Sequence, residues 1–178
     1  RQRQMCIRDS FIGSSTISIN TWYHIAITRS GGVIKMFING TQAGSNVTST
    51  LNYPSSIFRI GMDSAGTYPF VGYVSNLRAV KGTAIYTANF TPSTTPLTAI
   101  SGTSLLICQS NRFIDNSTNN FTVTVAGDTK IQSFQPFTPN SSYSTYGSGY
   151  FDGSGDYLTV PDSATLEPGS SNFTIECY

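Results

Sequence analysis

The stretch from Trp22 to Gly44, WYHIAITRSGGVIKMFINGTQAG, limits what this chain can fold into more than any other. Two runs of alternating residues, Trp22 to Arg29 and Val33 to Asn39, flank Ser30-Gly31-Gly32, the pattern of an antiparallel hairpin with a short glycine-containing loop. Asn39-Gly40 then reverses the chain again. Both central residues of a type I′ turn need positive φ, which Asn and Gly tolerate, so Thr41 to Gly44 is predicted to open a third strand. Side chains alternate across a strand, which places Ile25 and Ile27 on one face, with Ile34, Met36 and Ile38 beside them. These five are predicted to face the core. His24, Ala26, Thr28, Lys35 and Phe37 fall on the other face, whose mixed polarity suits water, a covering loop or a ligand.

The same hairpin resembles the central hairpin of laminin G-like domains, members of the concanavalin A-like lectin/glucanase jelly rolls. Four further stretches carry the resemblance. Phe70 to Val80, FVGYVSNLRAV, has the family's glycine, aromatic and aliphatic residues ahead of an aliphatic-Arg-aliphatic triplet. Ser75-Asn76 replaces the family's acidic pair there, which weakens any metal-ligand role for this strand. Lys81 to Pro92, KGTAIYTANFTP, closely resembles the closing segment of laminin G-like repeats in phage and other virion proteins. Tyr150 to Pro161 resembles the family's opening motif, and Asn172 to Tyr178 the strand that follows it.

The resemblance implies an all-β fold, an antiparallel two-sheet jelly-roll sandwich assembled from two half-repeats in circularly permuted order. Residues 11–98 match the second half of one repeat, 99–103 a linker, and 104–178 the first half of the next. Complementary halves are expected to form one sandwich. In it, Tyr150 to Val160 and Phe173 to Cys177 pack against Phe70 to Val80, burying Ile25, Ile27, Met36, Ile38 and Ile175 between the sheets. Neighbouring repeats of the same chain are implied partners.

Composition supports the β reading independently. Among 178 residues there are 11 Phe and 10 Tyr, only 11% are charged, and no long segment repeats apolar residues at helical spacing. Thr16 to Asn20, Ile57 to Gly61, Ser104 to Gln109, Phe121 to Val125 and Lys130 to Phe134 read as further strands. Ser45 to Ser56 and Thr138 to Ser148 read as loops. Residues 1–10, RQRQMCIRDS, lack strand alternation and resemble translated sequencing adaptor, so they are set outside the fold. No run approaches the length of a membrane span. A net charge of +1 gives no electrostatic case for nucleic acid. Cys6, Cys108 and Cys177 form neither a zinc pattern nor a disulfide framework, and a Cys108–Cys177 bridge stays open.

Glycoside cleavage needs two carboxyl groups across the scissile bond, yet the only glutamates are Glu167 and Glu176, and no strand carries acids at i and i+2. His24 is the sole histidine, with no Ser or Asp motif around it. No catalytic residues and no organic cofactor are therefore expected. Calcium is the one candidate ion, with Asp63, Asp152 and Asp156 in glycine-rich turns that also offer carbonyl oxygens. For a sugar, aromatic faces at loop ends are the candidates, chiefly Tyr68, Phe70, Tyr143 and Tyr146, then Tyr23, with Trp22 more suited to packing. Seven Asn-x-Ser/Thr triplets, at Asn39, Asn46, Asn89, Asn116, Asn120, Asn140 and Asn172, follow from the Asn- and Thr-rich composition. The expected function is a non-catalytic, lectin-like module of a phage tail, virion or cell-surface protein that binds a glycan or host receptor or serves as a spacer. The alternative is a glycoside hydrolase of the glucanase type, which the missing carboxylate pair disfavours.

Overall fold

The computed structural model describes residues 17–54, 57–63, 65–137 and 145–178. Residues 1–10, Thr16 and Tyr143 lie outside the described residues. Twelve strands and no helix are present among the described residues. They are β1 (Ile25–Ser30), β2 (Val33–Ile38), β3 (Thr41–Thr48), β4 (Phe58–Ile60), β5 (Val71–Val74), β6 (Leu77–Lys81), β7 (Thr103–Ile107), β8 (Thr124–Ala126), β9 (Lys130–Gln132), β10 (Ser148–Asp152), β11 (Tyr157–Val160) and β12 (Phe173–Cys177).

A six-stranded sheet runs β3-β2-β1-β12-β6-β7, and two three-stranded sheets, β5-β10-β9 and β4-β11-β8, make the other layer. Every pairing is antiparallel. The protein is thus an all-β antiparallel sandwich. Its two small sheets are joined strand by strand, since β4 leads to β5, β8 to β9 and β10 to β11, and the three connecting bends lie side by side.

Local chemistry sets the reversals. Asn39 and Gly40 have φ of 49° and 77°, the two positive values that a type I′ turn demands. β12 sits between β1 and β6, with Ile27 opposite Ile175 and Thr174 opposite Val80. Strands before residue 98 and strands after residue 103 therefore alternate within the large sheet, and β10 pairs β5 while β11 pairs β4 in the other layer.

The expected core face of the hairpin is only part of the burial. Ile25, Ile27, Met36 and Ile38 do lie on the side facing the second layer, but they are half-buried. The centre of the inter-sheet core lies further across the sheet, at Leu105, Ile107, Phe151, Leu158 and Val160, with Ile175 and Cys177 packed against it. The face assigned to water or a covering loop is the more deeply enclosed one at the hairpin, with Ala26 and Phe37 fully buried and His24 at 2% exposure. A strap formed by residues 82–98 lies across it, the covering loop among the expected alternatives: the sheet is buried on both faces, so alternation could not rank them.

Other expectations shift for physical reasons. Residues 17–20 form no strand: Ile19 is 88% exposed and Asn20 adopts φ 58° in a turn. The stretch Phe70 to Val80 is two strands, broken at Ser75-Asn76, where Asn76 takes φ 54°. β5 lies in the small layer and β6 in the large sheet, so the irregularity is a crossing between layers. Phe121 to Val123 pack against the core without strand pairing, and β8 begins only at Thr124. Cys108, with φ 58°, ends β7. β3 carries the third strand to Thr48, so the loop expected from Ser45 starts later.

Candidate functional site

The strap is positioned by backbone groups that it shares with the sheet. The Thr28 hydroxyl donates to the Tyr86 carbonyl at 2.8 Å, the Lys35 ammonium to the Thr87 carbonyl at 2.6 Å, and the Ile85 N–H to the Thr174 hydroxyl at 2.8 Å. Further along, the Phe90 N–H reaches the Gly40 carbonyl at 2.9 Å, and Asn89 accepts from the Gln42 N–H at 3.0 Å. Tyr86 and Phe90 stack at 3.6 Å with an interplanar angle of 7°, and Phe90 meets Phe37 edge-on. KGTAIYTANFTP therefore works as a plug over the β1, β2 and β12 part of that sheet face.

Under the plug is a charged cluster. Arg78 donates two hydrogen bonds to Oε1 of Glu176, at 2.9 and 2.6 Å. The other carboxylate oxygen accepts from the His24 ring N–H at 3.0 Å and from the Tyr86 hydroxyl at 2.8 Å. Burial alone would raise the Glu176 carboxyl, but the His24 bond, the Arg78 charge and its bonds, and the Tyr86 bond outweigh it and hold it below its ordinary value. Burial, with the Glu176 charge beside it, pushes the Tyr86 hydroxyl up. Arg78 also donates to the Thr98 carbonyl at 2.7 Å, which ties the far end of the strap. A carboxylate so fully bonded and shut from solvent is a structural anchor. Sequence reading missed this cluster because its members lie up to 152 positions apart.

The acidic candidates separate. Asp63 curls over its own loop: its carboxylate accepts from the N–H groups of Thr67 at 2.6 Å, Tyr68 at 2.9 Å and Ala65 at 3.4 Å. The Tyr68 N–H, with those of Thr67 and Ala65, holds its carboxyl below the usual range. Asp152 and Asp156 meet instead with Asp128, which the sequence reading did not include, with ligand atoms within 4.8 Å of one another. Asp156, buried at the junction of two bends, accepts from the Asp128 N–H and the Asp152 N–H, both at 2.9 Å. Burial would raise its carboxyl, and these two N–H groups with the Thr129 hydroxyl bring it below its ordinary value. Both oxygens thus fasten turns, and the exposed Asp128 and Asp152 carboxylates stand beside them.

The aromatic candidates also separate. Tyr68 and Phe70 are exposed in the β4–β5 connection, where Phe70 rests edge-on against Phe151. Tyr146 is half-buried at the opposite end of β10 and bridges to Ser110. The structure brings a different set together. On the outer face of β5-β10-β9, Tyr73 pairs with Tyr150 and Tyr150 with Lys130. Phe134 packs on Tyr73 at 4.9 Å and on Trp22 at 5.3 Å. Only Trp22 of these was a candidate from sequence, and then for packing.

A cavity of about 190 Å³ opens between the layers near Ile57, Phe58, Leu166 and Phe173. It is smaller than the about 300–1,000 Å³ typical of small-molecule sites. Cys108 and Cys177 are both free, and burial pushes each thiol up to about 12. β6 lies between their strands, so two strand spacings, about 9.6 Å, exceed the roughly 7 Å that a disulfide spans.

Residues 7–85 match the family model of the concanavalin A-like lectin/glucanases superfamily. That stretch is a laminin G-like member of the superfamily. The match covers the hairpin, β3 to β6 and the start of the strap, and the antiparallel sandwich is the architecture that membership implies. It begins inside the segment set apart as adaptor. No curated protein and no solved structure gives a significant match to the chain.

Proposed function

We propose that this laminin G-like protein is a non-catalytic binding module, presenting exposed aromatic and loop surfaces to a glycan or glycosylated receptor. One observation carries the reading: the open face of the six-stranded sheet, the surface broad enough to cradle a polysaccharide, is filled by the chain's own strap. Beneath it Glu176, the only strand glutamate, is 1% exposed and bonded to three side chains. A hydrolase needs a reachable acid and a second carboxylate across the bond, and neither requirement is met on this face. A virion, phage-tail or cell-surface protein is the setting that the strap motif suggests.

The experiment is a glycan array probed with the labelled protein, paired with reducing-sugar release from β-glucans. Saturable binding without sugar release is expected. Release of reducing ends would overturn the non-catalytic reading, and its survival in Glu167→Gln would point to another acid. Binding to no glycan would leave a spacer role in its place.

A further inference from the structure

The outer face of the small β5-β10-β9 sheet is the least explained surface of the molecule. Alternation along β10 sends Phe151 into the core at 0% exposure and so turns Tyr150 outward. Opposite it in register stand Tyr73 on β5 and Lys130 on β9. The rings cluster: Tyr150 lies 5.0 Å from Tyr73, and Tyr73, Phe134 and Trp22 close a triangle, with Tyr73 to Phe134 at 4.9 Å, Phe134 to Trp22 at 5.3 Å and Trp22 to Tyr73 at 6.2 Å. Phe134 is 52% exposed, a large apolar area to leave in water. Its backbone is held by the Ser148 hydroxyl, which donates to its carbonyl, and its ring packs on Tyr73 and Trp22.

The row ends in a polar pair. The Lys130 ammonium lies 5.6 Å from the Tyr150 ring centroid and 3.9 Å from the Asp128 carboxylate, and both side chains are more than half exposed. Together they offer one cluster of N–H donors and one acceptor, and Asp152 and Asp156 within 4.8 Å of Asp128 leave this end net negative.

Resting on the glycan-binding reading above, we infer that this row is the saccharide site and that its ligand is a neutral oligosaccharide. The apolar C–H face of a pyranose carries slight positive charge and is attracted to the negative face of an aromatic ring. Phe134 and Trp22 supply such rings, and Lys130 and Asp128 supply hydroxyl partners at the other end. Lys130, Tyr150 and Tyr73 cross three adjacent strands, two strand spacings or about 10 Å, and the Trp22 ring lies a further 6.2 Å from Tyr73, room for a short oligosaccharide. One ammonium against the Asp128, Asp152 and Asp156 carboxylates gives no preference for an acidic sugar.

Trp22 is the only tryptophan in the chain, so its fluorescence reports on this face alone. Titration with cellohexaose, maltohexaose and xylohexaose is expected to give a saturable change for at least one of them. Phe134→Ala is expected to weaken that binding at least tenfold, with an unchanged melting temperature and circular dichroism. Tyr68→Ala, at the β4–β5 connection, is expected to leave it unchanged. If the array shows glycan binding that neither perturbs Trp22 nor responds to Phe134→Ala, the site is wrong while the lectin reading stands. If binding on the array is confined to acidic glycans, the inferred ligand class is wrong. Absence of binding to every glycan overturns both.

Discussion

Glu176 shows how much one residue can carry here. Its carboxylate joins β12 to β6 through Arg78, to the start of β1 through His24 and to the strap through Tyr86. Removing one partner of a buried ion pair strands the other, at about 3–5 kcal/mol, so Glu176→Ala should lower unfolding stability by about that amount in urea. The pH dependence follows from the sign of the shift. The folded carboxyl lies below its ordinary value of 4.5, so its contribution is complete above that pH and disappears as pH falls through the lower folded value. Glu176→Gln should flatten the acid limb of a stability–pH curve, and an unchanged limb would show that the carboxylate is not coupled to folding. Sequence could place Glu176 on a strand. It could not show that the strand would neighbour Arg78, because that depends on pairing across about a hundred positions.

At the level of elements, the strap and the turns decide what the surface offers. The strap is an irregular segment fastened by its backbone, and Gly40 marks how closely it approaches. A Cβ there would come within 1.9 Å of the Phe90 carbonyl oxygen, and φ is 77°. Gly40→Ala should therefore cost more than the about 1–3 kcal/mol of a strained backbone alone. Tyr86→Phe, which removes only the hydroxyl bonded to Glu176, should cost about 1.5–3 kcal/mol. Denaturant melts of both variants check the ranking, and a Tyr86→Phe protein as stable as the parent would mean that the strap is held without that bond. The Asn39-Gly40 turn was legible because its φ requirement is local. The strap's path was not, since nothing in KGTAIYTANFTP states which sheet face it will cover.

Across the whole molecule, strands from the two halves of the sequence interleave in both layers. A structure in which β12 lies between β1 and β6 has no sub-core to melt alone, so unfolding should be one transition. Trp22 fluorescence and far-ultraviolet circular dichroism should then report the same midpoint in guanidinium; two separated midpoints would mean independent cores. What the sequence by itself determined is whatever depends on near neighbours: the β class from composition and period, the reversals at Gly31-Gly32 and Asn39-Gly40, and the laminin G-like identity of its first half. Tertiary structure alone decided which side of each strand is more deeply buried, because a strand covered on both sides has no polar face to betray its orientation. It also decided that Asp156 would be joined by Asp128 while Asp63 would close its own loop. In the same way it gathered Trp22, Tyr73, Phe134 and Tyr150, far apart in the chain, into one row, because contacts between distant segments form only once the sheets have set their register.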